Sequence, residues 1–169
     1  MKRNKKWLII LQLLLAAALL FAAFGVQADN GQEAAIPAGA QAGITDAATA
    51  EPLDIYGAYT TKEDVALYLY QYGVLPDNFI TKAEARSLGW DGGSLEPYAP
   101  GMCIGGSYFG NYEGLLPEMS GRLYAECDIN TLGENSRGAE RIVYSNDGLI
   151  YYTGDHYETF ILLYGEETP

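Results

Sequence analysis

Positive charge is scarce in this chain: 10 lysines and arginines stand against 22 aspartates and glutamates among its 169 residues. The scarcity is sharper than the totals suggest. Lys2, Arg3, Lys5 and Lys6 crowd the start, while every acidic residue lies from Asp29 onward. Beyond Ala28 six basic side chains remain and the net charge is near −16. That excess excludes a generally basic surface and repels nucleic acid at long range. An anionic ligand would need a local gathering of the few cations. Histidine is scarcer still, with His156 alone. Cysteine is limited to Cys103 and Cys127, and none directly follows the N-terminal apolar run, which argues against a lipid anchor there.

What is present begins with that run. Four basic residues, an apolar stretch from Trp7 to Val26 and the small residues of Val26-Gln27-Ala28 make the three-part pattern of a secretory signal peptide, cut after Ala28. The same ~20 apolar residues are long enough to span a membrane if they are not removed. Residues 29–58 are rich in Ala, Gly, Pro and Thr with no sustained period and read as a propeptide or disordered spacer. A single folded domain is expected over 59–169.

Thr61 can cap a helix, with Glu63 and Asp64 in its first turn, Val65, Tyr68, Leu69 and Tyr72 at helical spacing, and Gly73 as the stop. Thr81-Lys-Ala-Glu84 is a capping box that opens a second, short helix with Lys82 first in it. From Cys103 the pattern changes to strands, expected at Cys103–Phe109, Arg122–Ile129, Glu140–Ser145, Leu149–Thr153 and Tyr157–Leu163, separated by Gly, Asn and Asp turns. Helices followed by antiparallel strands mean an α+β domain, with the N-terminal helices packed on one face of a five-stranded antiparallel sheet.

The stretch Arg122 to Ile129 alternates. Leu123, Ala125, Cys127 and Ile129 fall on one face, expected to pack, and Arg122, Tyr124, Glu126 and Asp128 on the other, expected to be wet. Alternation also puts Cys103 and Cys127 out of simple cross-strand parity, leaving two buried thiols or, with a bulge at Gly105-Gly106, a disulfide allowed by export.

His156, Arg137, Arg141 and Lys82 lie in stretches expected to border that open face, which would gather four of the six remaining cations (Arg122 included) there. A carboxylate, an imidazole and several cations suit phosphoryl transfer in RNA. A Glu near ~4.3 is ionised while a His near ~6.5 is still protonated, so base and acid coexist. Guanidinium and ammonium groups stabilise charge building on phosphorus.

The segments Leu75-Pro-Asp-Asn-Phe-Ile-Thr-Lys82, Leu88-Gly-Trp90, Ala99-Pro-Gly101, Ile104-Gly-Gly106, Glu113-Gly114, Ser120-Gly-Arg122, Glu126, Asp128-Ile-Asn130, Arg141-Ile142, Leu149-Ile-Tyr151, Asp155-His-Tyr157 and Thr159-Phe160 come in an order that carries a resemblance. From about Tyr59 to Phe160 the chain resembles the barnase-like family of secreted bacterial guanyl-preferring ribonucleases. The resemblance implies the microbial ribonuclease fold and cleavage of single-stranded RNA 3′ to guanosine through a 2′,3′-cyclic phosphate, with no metal or other cofactor. It makes Glu126 the general base and His156 the general acid. Lys82, Arg137 and Arg141 become the phosphate and transition-state group. Glu113, Asn111, Tyr112, Phe109 and Tyr157 become the substrate-binding set, with Glu113 on the guanine edge, the amides of its loop reading the remaining acceptors, and Phe109 and Tyr157 near the base. Arg122 and Asp147 match a structural ion pair.

The chain departs from that pattern at Tyr112, where the family carries an arginine. One positive charge at the mouth of the site is lost. The same position bears on a barstar-like intracellular inhibitor, the protein partner that the resemblance implies besides RNA. The expected unit is a secreted monomer. The competing reading is a catalytically silent RNA-binding or protein-interaction domain on the same fold.

Overall fold

A computed structural model describes residues 50–167. The leader and most of the spacer, 1–28 and 29–49, lie outside the described residues. Among the described residues no helix is long and apolar enough to cross a membrane.

Helix α1 spans Lys62–Tyr72. Its first turn is closed by Thr61, whose hydroxyl accepts from the Asp64 amide at 3.2 Å, and its last by Gly73, left-handed with φ 66° and an N–H to Leu69 O. Residues 51–59, assigned largely to the spacer by composition, run along this helix and are fastened to it. The Leu53 amide donates to Gln71 Oε1 at 2.9 Å, and the Tyr68 and Tyr72 hydroxyls donate to the carbonyls of Ile55 and Leu53. Helix α2, Lys82–Ser87, opens on the expected capping box, with Glu84 N to Thr81 Oγ1 at 3.2 Å and Thr81 N to Glu84 Oε2 at 2.8 Å.

The sheet has six strands, in the order β1 to β6: Phe79–Ile80, Cys103–Phe109, Tyr124–Asp128, Arg141–Ser145, Ile150–Thr153 and Ile161–Tyr164. Five of these answer to the five expected. The sixth is β1, two residues long and parallel to β2, with Phe79 beside Cys103 and Ile80 beside Ile104. The remaining pairings are antiparallel. The expected last strand starts four residues late, at Ile161, because Tyr157 to Thr159 are taken into a tight loop.

Helix α1 lays Val65, Ala66 and Leu69 on Cys127, Ile129, Ile142 and Ile150, all buried. Fully burying each large aliphatic side chain is worth about 1.5–3 kcal/mol. A second cluster, Leu116, Tyr124, Val143, Leu149 and Tyr151, with Phe109, Tyr157 and Phe160 packed on it, covers part of the opposite face. A third joins Ala85 of α2 to Trp90, Leu95 and Ile104.

The two faces of β3 are therefore not dry and wet. Tyr124, Glu126 and Asp128, expected in solvent, are buried, and Leu123, expected to pack, is 60% exposed just before the strand begins. Leu123 instead lines a groove on the helix side with Tyr70, Tyr144 and Ile150. Cys103 and Cys127 are free and buried. Gly105 pairs with Cys127, and a bulge follows at Gly106. Cys103 thus falls two residues along the strand from Cys127's partner, a diagonal too long for a disulfide.

Candidate active site

Glu126 sits in the middle of β3, opposite Val143 on one side and Ser107 on the other, and is 6% exposed. A buried carboxylate needs donors. Two reach it from distant parts of the chain. The Lys82 ammonium, on the first residue of α2, bonds and pairs with Oε1, and the Tyr157 hydroxyl donates to Oε2. Lys82 arrives because β1 adds to the sheet beside β2 and α2 starts two residues after Ile80. Burial pushes the Glu126 carboxyl up more than any other single effect. The Lys82 and Tyr157 hydrogen bonds, with the charges of Lys82 and Arg137, together overcome it and hold the group below its ordinary value. Glu126 is thus ionised at neutral pH yet largely stripped of water. The counterpart shift is on Tyr157, whose phenol is pushed up by burial and by the ionised Glu126 beside it, so it stays a donor.

One step along the same face, Asp128 is 1% exposed and gathers the arginines. Arg137 grips it with two bonds, Nε to Oδ2 at 2.6 Å and Nη2 to Oδ1 at 2.7 Å, and its guanidinium lies 5.8 Å from the Trp90 ring. Arg141, paired with Asp128 across β3 and β4, brings Nε to 2.9 Å from Oδ1 at an angle too poor for a hydrogen bond. Its remaining nitrogens donate to the carbonyls of Arg137, Gly138 and Glu140 at 2.7–3.1 Å. Two guanidinium groups are thereby fixed next to Glu126 with their stems ordered. Asp128, expected only as one of the solvent-facing polar residues of the strand, is the anchor of both.

The loop after β5 carries the lone histidine. His156 and Tyr157 are consecutive residues with left-handed backbone, φ 60° and 77°, where non-glycine residues are uncommon. The His156 ring is exposed and 4.7 Å from the Tyr157 ring. Tyr157 links His156 to Glu126, since its own hydroxyl bonds the carboxylate.

The loop after β2 borders the same site through Phe109, which packs 5.3 Å from Tyr157. Asn111, φ 46°, is 8% exposed and its side chain stitches the loop, donating to Leu116 O at 2.9 Å and accepting from Leu116 N at 3.0 Å. The Asn111 side chain is occupied within the loop, so what this residue can offer a base is its main chain. Tyr112 and Glu113 are exposed. The Tyr112 ring folds over Gly110 so closely that a Cβ there would lie 2.3 Å from it. Among the described residues no group of three or more His, Cys, Asp and Glu side chains is arranged to hold a metal ion.

Residues 62–164 match the ribonuclease family. The chain is 43% identical over 148 residues to a ribonuclease of Bacillus pumilus, covering 86% of this chain and 90% of that one. Against a ribonuclease of Heyndrickxia coagulans it is 53% identical over 102 residues, 59% of this chain and 93% of the relative. A shorter match, 42% over 57 residues, reaches the guanyl-specific ribonuclease St of Saccharopolyspora erythraea, 34% of this chain and 56% of that one. The chain belongs to the ribonuclease family.

Its α+β fold is that of the microbial ribonucleases, and its substrate class is RNA. Within this ribonuclease, Glu126, Lys82, Arg137, Arg141, Tyr157 and Phe109 are brought into one contact network, with His156 attached through Tyr157. Sequence reasoning understated Asp128. Asp128 alternates with Glu126 on β3, and that spacing was the available signal.

Proposed function

We propose that this ribonuclease is an exported endonuclease that cleaves single-stranded RNA 3′ to guanosine by transphosphorylation, without a metal. The observation that carries the reading is a water-poor, ionised Glu126 held by Lys82 and Tyr157, with two arginines fixed behind it on Asp128.

In the first step Glu126 takes the proton of the 2′-hydroxyl, the 2′-oxygen forms its bond to phosphorus, and the bond to the 5′-oxygen breaks. That oxygen leaves with a proton from His156. Lys82, Arg137 and Arg141 stabilise the charge on the phosphoryl oxygens. In the second step water gives a proton to the now neutral His156 and its oxygen attacks phosphorus. The 2′-oxygen departs with the proton stored on Glu126, and both groups return to their starting forms.

Guanine preference is supported by the exposed Glu113 on a loop whose main chain Asn111 fixes, and by Phe109 and Tyr157 as stacking partners. Stacking of a base on such rings is worth about 1–3 kcal/mol. The basic and then apolar leader supports export, with removal after Ala28.

The test is cleavage of GpU against ApU. Wild type should form guanosine 2′,3′-cyclic phosphate and prefer GpU. Glu126→Ala and His156→Ala should each lose ~10²–10⁴ in kcat. A fully active His156→Ala protein would overturn the mechanism, and equal rates on the two dinucleotides would overturn the guanine preference.

A further inference from the structure

The loop that carries His156 contains a small, fully bonded polar cage that the reaction above does not use. Asp155 is its centre. Its Oδ1 accepts from the Glu158 amide at 3.0 Å, from the Thr159 amide at 2.9 Å and from the Thr153 hydroxyl at 2.9 Å, while Oδ2 accepts from the Thr159 hydroxyl at 2.5 Å. The Thr153 hydroxyl, donating to Asp155, accepts in turn from the Tyr157 amide at 2.9 Å. Thr153 is 1% exposed and stands on β5 opposite Arg141, so the cage is rooted in the rigid sheet.

His156 lies between these anchors. Its neighbours on both sides are pinned, by the carboxylate of Asp155 and by the amide of Tyr157. His156 and Tyr157 adopt two successive left-handed conformations that non-glycine residues avoid. Such a backbone persists only where its surroundings enforce it. Without the cage, residues 156 and 157 would relax toward ordinary φ, and the imidazole would move with them.

We infer that Asp155 and Thr153 are positioning residues that hold His156 at the leaving-group side of the substrate. This rests on the reading of His156 as the general acid. Neither residue touches the reacting atoms. They act through the backbone, by keeping the imidazole where the 5′-oxygen departs. Asp155 is also held as a carboxylate far into acid. Its bonds from the Thr159 hydroxyl and amide lead the causes, and the group lies at about 2. The cage therefore stays closed across the range in which Glu126 and a histidine can work.

The experiment compares two substrates in the domain-bearing full chain. One is GpU, whose 5′-alkoxide leaves only with a proton. The other is guanosine 3′-(4-nitrophenyl phosphate), whose aryloxide leaves without one. A residue that serves the acid should matter for the first and not the second. Asp155→Ala and Thr153→Val are expected to lower kcat on GpU ~10–100-fold, with KM within ~3-fold, and to change the aryl ester less than ~3-fold, a part of the ~10²–10⁴ a general acid contributes. Asp155→Asn, which can keep accepting from the two amides and Thr153, should recover most of the GpU rate.

A GpU-to-aryl-ester kcat ratio that stays at the wild-type value in both variants overturns the inference, whether because neither substrate slows or because both slow alike. His156→Ala supplies the reference. If its ratio is also unchanged while wild type cleaves GpU, the fault lies with the assignment of the general acid. If its ratio falls and those of the cage variants do not, the fault lies with the cage.

Discussion

Arg137 and Asp128 meet in a two-bond fork, Nε to Oδ2 and Nη2 to Oδ1, at 2.6 and 2.7 Å. The geometry pairs the strongest kind of side-chain hydrogen bond with a carboxylate that has almost no access to water. Arg141 shares that carboxylate from the neighbouring strand. Asp128→Ala would leave a guanidinium that is 2% exposed without its counter-charge. The expected cost is about 3–5 kcal/mol of unfolding free energy. Urea melts of Asp128→Ala against wild type measure it, and an unchanged midpoint would show that the cluster contributes nothing to stability.

Lys82 sets the pH at which Glu126 becomes protonated. Burial raises the carboxyl and Lys82 supplies the largest opposing effect, so the folded group lies below its ordinary 4.5. In Lys82→Ala the burial remains and the opposition shrinks, which moves the value upward. The acid limb of kcat/KM on GpU should therefore lie below about pH 4.5 in wild type and shift to higher pH in the variant. The same sign governs stability, because a depressed carboxyl stabilises the fold above its unfolded value and loses that contribution as pH falls through the folded one. Acid titration of both proteins, by rate and by fluorescence, checks the two limbs.

Gly110 and Tyr112 should behave as a coupled pair. A methyl at residue 110 would lie 2.3 Å from the Tyr112 ring, and that ring is 88% exposed, so it can swing away at little cost. Gly110→Ala should leave stability within about 0.5 kcal/mol, the usual range for surface changes. It should raise KM for GpU by dislodging the ring. In a Tyr112→Ala background the same substitution should have no further effect on KM. A double-mutant cycle reads the coupling, and additive KM changes would mean the ring plays no part.

Cys103 and Cys127 should be inert in the native protein. Both are buried, and burial leads the causes that push each thiol up, so neither offers thiolate at neutral pH. Reaction with Ellman's reagent should be negligible without denaturant and should reach two thiols per chain in guanidinium. Rapid native labelling of either cysteine would contradict the packing described.

The two helices were legible because their end signals are local: Thr61 and Gly73 for α1, and the Thr81–Glu84 box for α2. Each works within a few residues. Alternation in β3 was also legible, but alternation says only that two faces differ. Which one meets water depended on side chains from elsewhere, namely Lys82, Arg137, Arg141 and Tyr157, and these covered the polar face. The last strand was drawn too early because Tyr157 and Thr159 favour strands intrinsically. Asp155 outcompetes the sheet for the amides of Glu158 and Thr159. The parallel β1 is two residues long, too short for any period to show. The scarcity of cations placed Lys82 at the border of this face, but its bond to a carboxylate 44 positions away depends on the parallel β1, which no local pattern shows.

Gly105 lies on β2 where three segments crowd together. A Cβ there would come within 2.6 Å of Phe79, 2.8 Å of Cys127 and 2.9 Å of Leu75. Phe79 belongs to β1, and Lys82 follows three residues later. The separation between the ammonium and the Glu126 carboxylate is thus governed by a carbon atom that the chain does not have. Among point changes reachable at this position, even the smallest, to alanine, would lever β1 outward and carry the lysine with it. A position that touches no substrate is thereby closed to any side chain by the spacing that the Lys82–Glu126 pair requires.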